Sequence, residues 1–222
     1  MGVALMVKIL DPTLSNVMEV DPTLCAAIVD QWPMENLTWL SFGLKIGPFV
    51  ISGSNQILFS LLYTGPNVLA VRRFGVGAVC TAWTAASLFD LGLFVARGYT
   101  TVDSGGSSLV LSGNNGKHRT SMAALTGAAI NWSTSSALTA GSRNLDDFPI
   151  GYAGMYLGTT STEGIGTIIP PAPDNLIGHN EGDYPLLLAT NEGLELQAGI
   201  AATAGNTNAV YVNFEIAEIA GF

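Results

Sequence analysis

Charge is the scarcest property of this chain. Of 222 residues, 8 are Lys or Arg and 17 are Asp or Glu, so charged residues make up 11% against a hydrophobic fraction of 48%. Soluble domains ordinarily carry about 25% charged residues. A surface this poor in charge is either covered by neighbours or dominated by Ser, Thr, Asn and Gly. The formal net charge is −9. A chain with so few cations gains little from counterion release on a phosphate backbone, which disfavours nucleic acid as a partner. Only Arg72-Arg73 and Lys117-His118-Arg119 form local positive spots, and both read as solvated faces or salt-bridge partners.

Long apolar runs are missing too. The mean hydropathy is +0.40, yet a spanning helix needs about 20 consecutive apolar residues. The best stretch, Leu88–Ala96, is cut by Asp90 and bounded by Arg97. No membrane partner is expected. Met1–Leu10 lacks the basic flank and small-residue cleavage site of a signal peptide. The two cysteines, Cys25 and Cys80, lie far apart; without a sign of secretion no disulfide is expected.

What the chain does have is β texture, organised around residues 57–101. Ile57–Tyr63, Val68–Thr81 and Leu88–Tyr99 are apolar runs rich in Val, Leu, Phe and Tyr, which fit a pleated, half-buried surface. Thr64-Gly65-Pro66-Asn67 is a turn between the first two. In the second run Leu69, Val71, Phe74, Val76 and Ala78 read as inward. Strict alternation places one of Arg72 and Arg73 on the core side, whereas a bulge near Arg73-Phe74-Gly75 turns both outward; sequence rules leave this open. Trp39–Ile46 alternates cleanly, as do Leu194–Ile200 and Ala209–Ile219, the last with Val210, Val212, Phe214 and Ile216 on one face and Glu215 on the other. Shorter strands are expected at Ser108–Leu111, Ile130–Ser133, Ala137–Thr139 and Tyr184–Thr190. Residues 145–183 read as a long irregular loop, with Leu145–Pro173 rich in Gly, Pro and Thr. Nine to eleven strands with short turns define an all-β chain, an antiparallel β-sandwich with a jelly roll as the candidate arrangement.

Residues 1–38 differ in texture and are read as an N-terminal arm or interface segment, with the sandwich domain over 39–222. Asp11-Pro12-Thr13-Leu14 recurs as Asp21-Pro22-Thr23-Leu24. Asp-Pro either starts a turn or caps a helix, and Asp21 before Pro22, Leu24, Ala26, Ala27 and Ile28 suits two helical turns. The segment is an arm lying on a neighbouring subunit or a first strand pair of the same domain. For the arm, the contact residues are Asp11, Pro12, Thr13, Leu14, Val17, Met18, Val20, Asp21, Pro22, Leu24 and Ile28.

No constellation for chemistry emerges. His118 and His179 are the two histidines, and neither has a recognisable nucleophile beside it. The loop Asp174–Asp183 carries oxygen ligands but not EF-hand spacing. Two distant cysteines and two distant histidines do not make a zinc site. Gly75-Val76-Gly77 and Gly164-Ile165-Gly166 lack the third glycine of a phosphate cradle. Asp146 and Asp147 are adjacent on a loop and point apart. The expectation is a non-enzyme with no cofactor and no metal.

Several stretches carry a resemblance. They are Val95-Ala96-Arg97-Gly98-Tyr99-Thr100, Asp103-Ser104-Gly105-Gly106, the run from Ser112 to Met122 through Asn114-Asn115-Gly116-Lys117-His118-Arg119, Leu138–Asp146, and Asp183–Ala189 with Asn191-Glu192-Gly193. In that order, over roughly Asp11 to Glu218, the chain resembles a family of tailed-phage virion structural proteins, mostly uncharacterised. The resemblance implies a capsid-associated protein and carries over no catalytic residue. The expected function is therefore non-enzymatic: decoration or cementing of the outer capsid. Its partners would be the major capsid protein and copies of itself, a trimer being the usual solution at a threefold junction. Its place would be the capsid surface of a virion assembled in the host cytoplasm. The alternative is a jelly-roll module binding a glycan or receptor on a head fibre or tail. Exposure of Trp32, Trp39, Trp83 and Trp132 separates the two.

Overall fold

The computed structural model describes residues 19–21, 26–28, 40–82, 87–109, 125, 127–157, 174–178, 185–201 and 206–219. The chain divides into two compact units, Met1–Asn36 and Leu37–Phe222. In the first, β1 (Glu19–Asp21) pairs antiparallel with β2 (Ala26–Ile28), Val20 opposite Ala27. Of the two readings of Asp21-Pro22, the helical one does not hold at Ala26–Ile28, which is strand. Backbone pairing with Glu19–Asp21 satisfies the groups a two-turn helix would leave open at both ends.

The second unit holds twelve strands among the described residues: β3 (Leu40–Phe49), β4 (Gln56–Tyr63), β5 (Val68–Ala82), β6 (Ser87–Arg97), β7 (Ser107–Leu109), β8 (Ala128–Trp132), β9 (Asn144–Leu145), β10 (Gly151–Leu157), β11 (Asp174–Gly178), β12 (Leu186–Leu188), β13 (Glu192–Ala198) and β14 (Thr207–Ile219). No helix occurs among the described residues. One sheet runs β10-β6-β13-β4-β8-β7, with β9 also on β6; the other runs β11-β5-β14-β3, with β12 also on β5. Every pairing is antiparallel.

The sheets pack face to face as a β-sandwich, because each strand puts its apolar set on one side. Leu40, Phe42, Leu44 and Ile46 of β3 join Val210, Val212, Phe214 and Ile216 of β14 and Leu69, Val71, Phe74, Val76 and Ala78 of β5 in one core. The other sheet supplies Phe59 and Leu61 of β4, Leu91, Leu93 and Val95 of β6, and Leu194 and Leu196 of β13. Four phenylalanines knot the layers together. Phe214 stacks on Phe42 at 5.2 Å between centroids, while Phe59 reaches across to Phe74 at 5.3 Å and to Phe214 at 5.4 Å. Such pairs add about 0.5–1.5 kcal/mol beyond the area they bury.

The arginine pair is resolved by a bulge. The register of β14 against β5 slips between Arg73 and Val71, leaving Arg72 as the extra residue. Arg72 is exposed and Arg73 half-buried, while Val71 and Phe74 keep their places inward. The slip lies one residue earlier than the sequence placed it.

Three expectations are corrected. Residues 145–183 are not one long loop: β10 pairs along β6 from Gly151↔Leu93 to Leu157↔Ser87, and β11 pairs with β5. Glycine content hid β10, although β6 offers it a full antiparallel edge. The acidic stretch Asp174–Asp183 likewise begins as strand, and the strand count exceeds nine to eleven.

Candidate functional site

The strand alternation that fills the core sends Ser60, Glu195, Gln197 and Asn131 to the opposite, outer face of the seven-stranded sheet. In a two-layer sandwich this face is solvated. Here it is not: relative exposure is 1% for Ser60, 0% for Glu195, 8% for Gln197 and 6% for Asn131. The chain's own connections cover it. Leu62, Ala96 and Tyr99 form a small apolar cluster there, separate from the main core, with Leu145 packed against it.

The covering layer is tied down through its backbone. The Ser104 and Thr139 amides donate to each other's carbonyls at 3.0 and 2.8 Å, the Thr100 amide donates to Ser142 O at 3.0 Å, and the Leu138 amide donates to Ile57 O at 2.9 Å. Asn131 Nδ2 donates to Asp103 O at 2.6 Å and Ser108 Oγ donates to Asn131 Oδ1 at 2.5 Å. Two glycines make the close approach possible. A Cβ on Gly141 would run into the Thr101 carbonyl oxygen, and one on Gly193 into that of Leu61, with the Tyr99 ring 2.9 Å away.

Beneath this layer lies a buried ion cluster. Arg143, its side chain 4% exposed, faces Asp103 and Glu195, both 0%. Nη1 reaches Asp103 Oδ1 at 2.9 Å, and Nη2 pairs with Glu195 Oε2. Asp103 Oδ1 also accepts from the Gly141 amide at 2.7 Å, and Glu195 Oε1 accepts from Gln197 Nε2 at 2.5 Å. Arg143 Nη1 donates further to Gly141 O at 3.1 Å, and its guanidinium lies 5.4 Å from the centroid of the Tyr99 ring. Asp103 Oδ2 and Arg143 Nε are buried without a hydrogen-bond partner.

Burial sets the electrostatics. It raises the Glu195 pKa, opposed by the Gln197 hydrogen bond and by Arg143 and reinforced by Asp103. The Tyr99 hydroxyl is pushed up to about 12, chiefly by burial. It lies toward Ser60 and Asp103, near enough for both to act on it but without a hydrogen bond to either. A cleft with shifted acids is the usual mark of a reaction centre, yet these groups are sealed from solvent, and such networks also arise for structural reasons. Just beyond, at the surface, Arg97 holds Asp146 through Nε and Nη2 at 2.8 and 3.1 Å and Glu192 through Nη1 at 2.8 Å.

Of the residues expected at a subunit interface, Val20, Asp21 and Ile28 lie in the β1–β2 pair. Asp11, Pro12, Thr13, Leu14, Val17, Met18, Pro22 and Leu24 lie outside the described residues, as do His118, His179, Cys25, Trp32, Trp39 and Trp83. Trp132 packs half-buried against the main core. Asp146 is drawn to Arg97 rather than to Asp147. Cys80 is part-buried, its thiol donating to Ala82 O at 3.1 Å. The Asp103–Arg143–Glu195 cluster was not anticipated. Its one trace in the sequence is the charge at Glu195 within a strand otherwise buried on both faces.

Among the described residues no three His, Cys, Asp or Glu side chains converge as metal ligands, and no helix is long and apolar enough to cross a membrane. Fold and cluster together define the class: an all-β antiparallel sandwich, one outer face of which is sealed by its own loops over an ion cluster. No family model, no curated protein and no solved structure matches the chain.

Proposed function

We propose that the protein is a non-enzymatic structural protein of a tailed-phage virion, a sandwich of jelly-roll type that decorates or cements the outer capsid through subunit contacts. Its partners in this reading are the major capsid protein and copies of itself in a trimer, with assembly in the host cytoplasm and neither nucleic acid nor membrane bound. One observation carries the reading beside the family resemblance: large apolar side chains stand exposed outside both sheets. Phe148 is 81% exposed, Tyr152 60% and Ile150 41% around the start of β10, while Val79 is 48% and Tyr211 46% exposed on the five-stranded sheet. Clustered exposed apolar residues mark interaction surfaces, and a subunit fitted among neighbours needs them on more than one side. The half-buried Trp132 also favours packing over a glycan shelf. The observation on the other side is Tyr211, exposed beside Asn213 on the same outward strand face.

The test is co-sedimentation with shells lacking the protein. Phe148→Ser with Tyr152→Ser is expected to lose binding or self-association while keeping its circular-dichroism melt. Deletion of residues up to Asp30 probes the interface expected from the N-terminal residues in the same assay. Parental binding and oligomeric state in both variants would sink the capsid reading; retention of a glycan on an array, lost on Tyr211→Ala, would replace it with the binding-module reading.

A further inference from the structure

Two apolar surfaces outside the sandwich core are exposed, and they differ in shape. The first is a knob. Asp147-Phe148-Pro149 links β9 to β10, and Phe148 is 81% exposed. Both feet of this link are pinned to β6: the Asp146 amide donates to Val95 O at 3.0 Å and the Ile150 amide to Leu93 O at 2.7 Å. Arg97 also holds the Asp146 side chain, through Nε and Nη2. The Phe148 ring is therefore presented on a fixed base, which lowers the ordering cost of burying it in a partner. Asp147, also exposed, stands next to it.

The second is a hollow on the outer face of the five-stranded sheet. Tyr211 of β14 lies opposite Lys45 of β3 on one side and Gly77 of β5 on the other, and Asn213 lies opposite Gly43 and Gly75. With glycine at Gly43, Gly75 and Gly77, the sheet is left bare beside Tyr211. A Cβ at Gly77 would meet nothing within 4 Å among the described residues. Tyr211 is 46% exposed, and Val79, next but one to Gly77 on β5, is 48% exposed, so an apolar rim borders the glycine floor. Lys45 is exposed, its ammonium 6.0 Å from the centroid of the Tyr211 ring.

Shape and charge both match the knob to the hollow rather than either to itself. Two knobs face to face would set Asp147 against Asp147, and two hollows would set Lys45 against Lys45; like charges so placed disfavour a contact. A knob in a hollow sets Asp147 against Lys45 and lays an aromatic ring on the bare floor at Gly77. The knob hangs from the seven-stranded sheet and the hollow lies on the five-stranded one, so one copy can give its knob to one neighbour and take the knob of another. Contacts between unlike surfaces close into rings or run on as filaments. We propose that copies of this chain join head to tail, Phe148 of one seated over Gly77 of the next beside Tyr211 and Val79, with Asp147 facing Lys45. The contact deepens the subunit-contact reading above and rests on it; closed on itself after three copies, it is the trimer of that reading.

Sedimentation velocity of the full chain over a range of concentrations tests this. The parent is expected to associate. F148S removes the knob, and G77L fills the hollow where the free subunit has room for a side chain. Each is expected to weaken self-association about thirtyfold or more, as loss of a central anchor does, and to keep the parental circular-dichroism melt. Mixing the two variants gives the signature of unlike surfaces: F148S still has a hollow and G77L still has a knob, so the mixture is expected to form a one-to-one pair that grows no further. K45D and D147K are each expected to weaken association several-fold, more so at low salt, and together in one chain to restore it. A parent that stays monomeric, G77L that associates like the parent, a mixture that forms no pair, or a charge exchange that restores nothing would each overturn the contact. Co-sedimentation with shells, read beside these, separates the two failures. Parental binding to shells with the contact overturned leaves the capsid reading standing, whereas association through these surfaces without co-sedimentation keeps the contact and removes the capsid reading.

Discussion

Replacing Arg143 with Ala is the sharpest perturbation of the cluster. The side chain is 4% exposed and stands between two carboxylates that are fully buried. Its removal leaves both acids without a counter-charge, a change that costs about 3–5 kcal/mol for a buried pair. The guanidinium also lies over the Tyr99 ring at 5.4 Å and donates to Gly141 O. These contacts share one group, so their losses do not add. For a chain of this size, about 2–4 °C is lost per kcal/mol, and the melting temperature should fall by about 6–20 °C. The loss should deepen as pH rises, because more negative charge is then left unpaired. Adding Asp103→Asn and Glu195→Gln to Arg143→Ala should recover much of the loss, since the orphaned charges go with it. Urea denaturation at two pH values measures all of this. A loss below about 1 kcal/mol, the worth of a solvated surface pair, would refute the picture of a sealed cluster.

Two further substitutions test the packing and the surface. Gly193→Ala drives a methyl group into the Leu61 carbonyl and the Tyr99 ring and should cost about 1–3 kcal/mol or more; at Gly77, where a Cβ meets nothing within 4 Å, the same change should stabilise by about 0.5–1 kcal/mol, so denaturant midpoints should move in opposite directions. Arg97→Ala removes an exposed three-way ion pair and should cost about 0.5–1 kcal/mol at low salt and almost nothing at high salt.

Much of the sandwich was legible because its signal is local. Leu40, Phe42, Leu44 and Ile46, or Val210, Val212, Phe214 and Ile216, declare their face by alternation alone, and both sets are buried in the core. The arginine pair declared a choice but not its answer, since the slip at Arg72 depends on the register of β14. β10 was missed because Gly151 and Gly154 weaken strand propensity and the pairing that overrides it lies in β6, far off in sequence. Strand order was not legible at all: β13 sits between β6 and β4, an arrangement that no turn chemistry encodes. The site failed for a related reason. Asp103, Arg143 and Glu195 come from three distant segments, and each alone reads as an ordinary surface charge.

Alternation in this protein separates the main core from everything else, not the buried from the exposed. Ser60, Asn131, Glu195 and Gln197 occupy the phase that a two-layer sandwich gives to water, and the loops between strands have taken the place of water. A face covered in this way must satisfy its polar groups with protein partners, because an unpaired buried group costs about 1–3 kcal/mol. Apolar residues at Asp103, Arg143 and Glu195 would avoid that cost, and replacing buried ion pairs by packed apolar groups often stabilises by about 1–4 kcal/mol. Apolar contact, however, is non-directional, and the layer already has its apolar anchor in Leu62, Ala96, Tyr99 and Leu145. What the ions add is position: Arg143 meets its two acids in one arrangement, with the Gly141 amide on Asp103 and the Gln197 amide on Glu195 fixing each carboxylate.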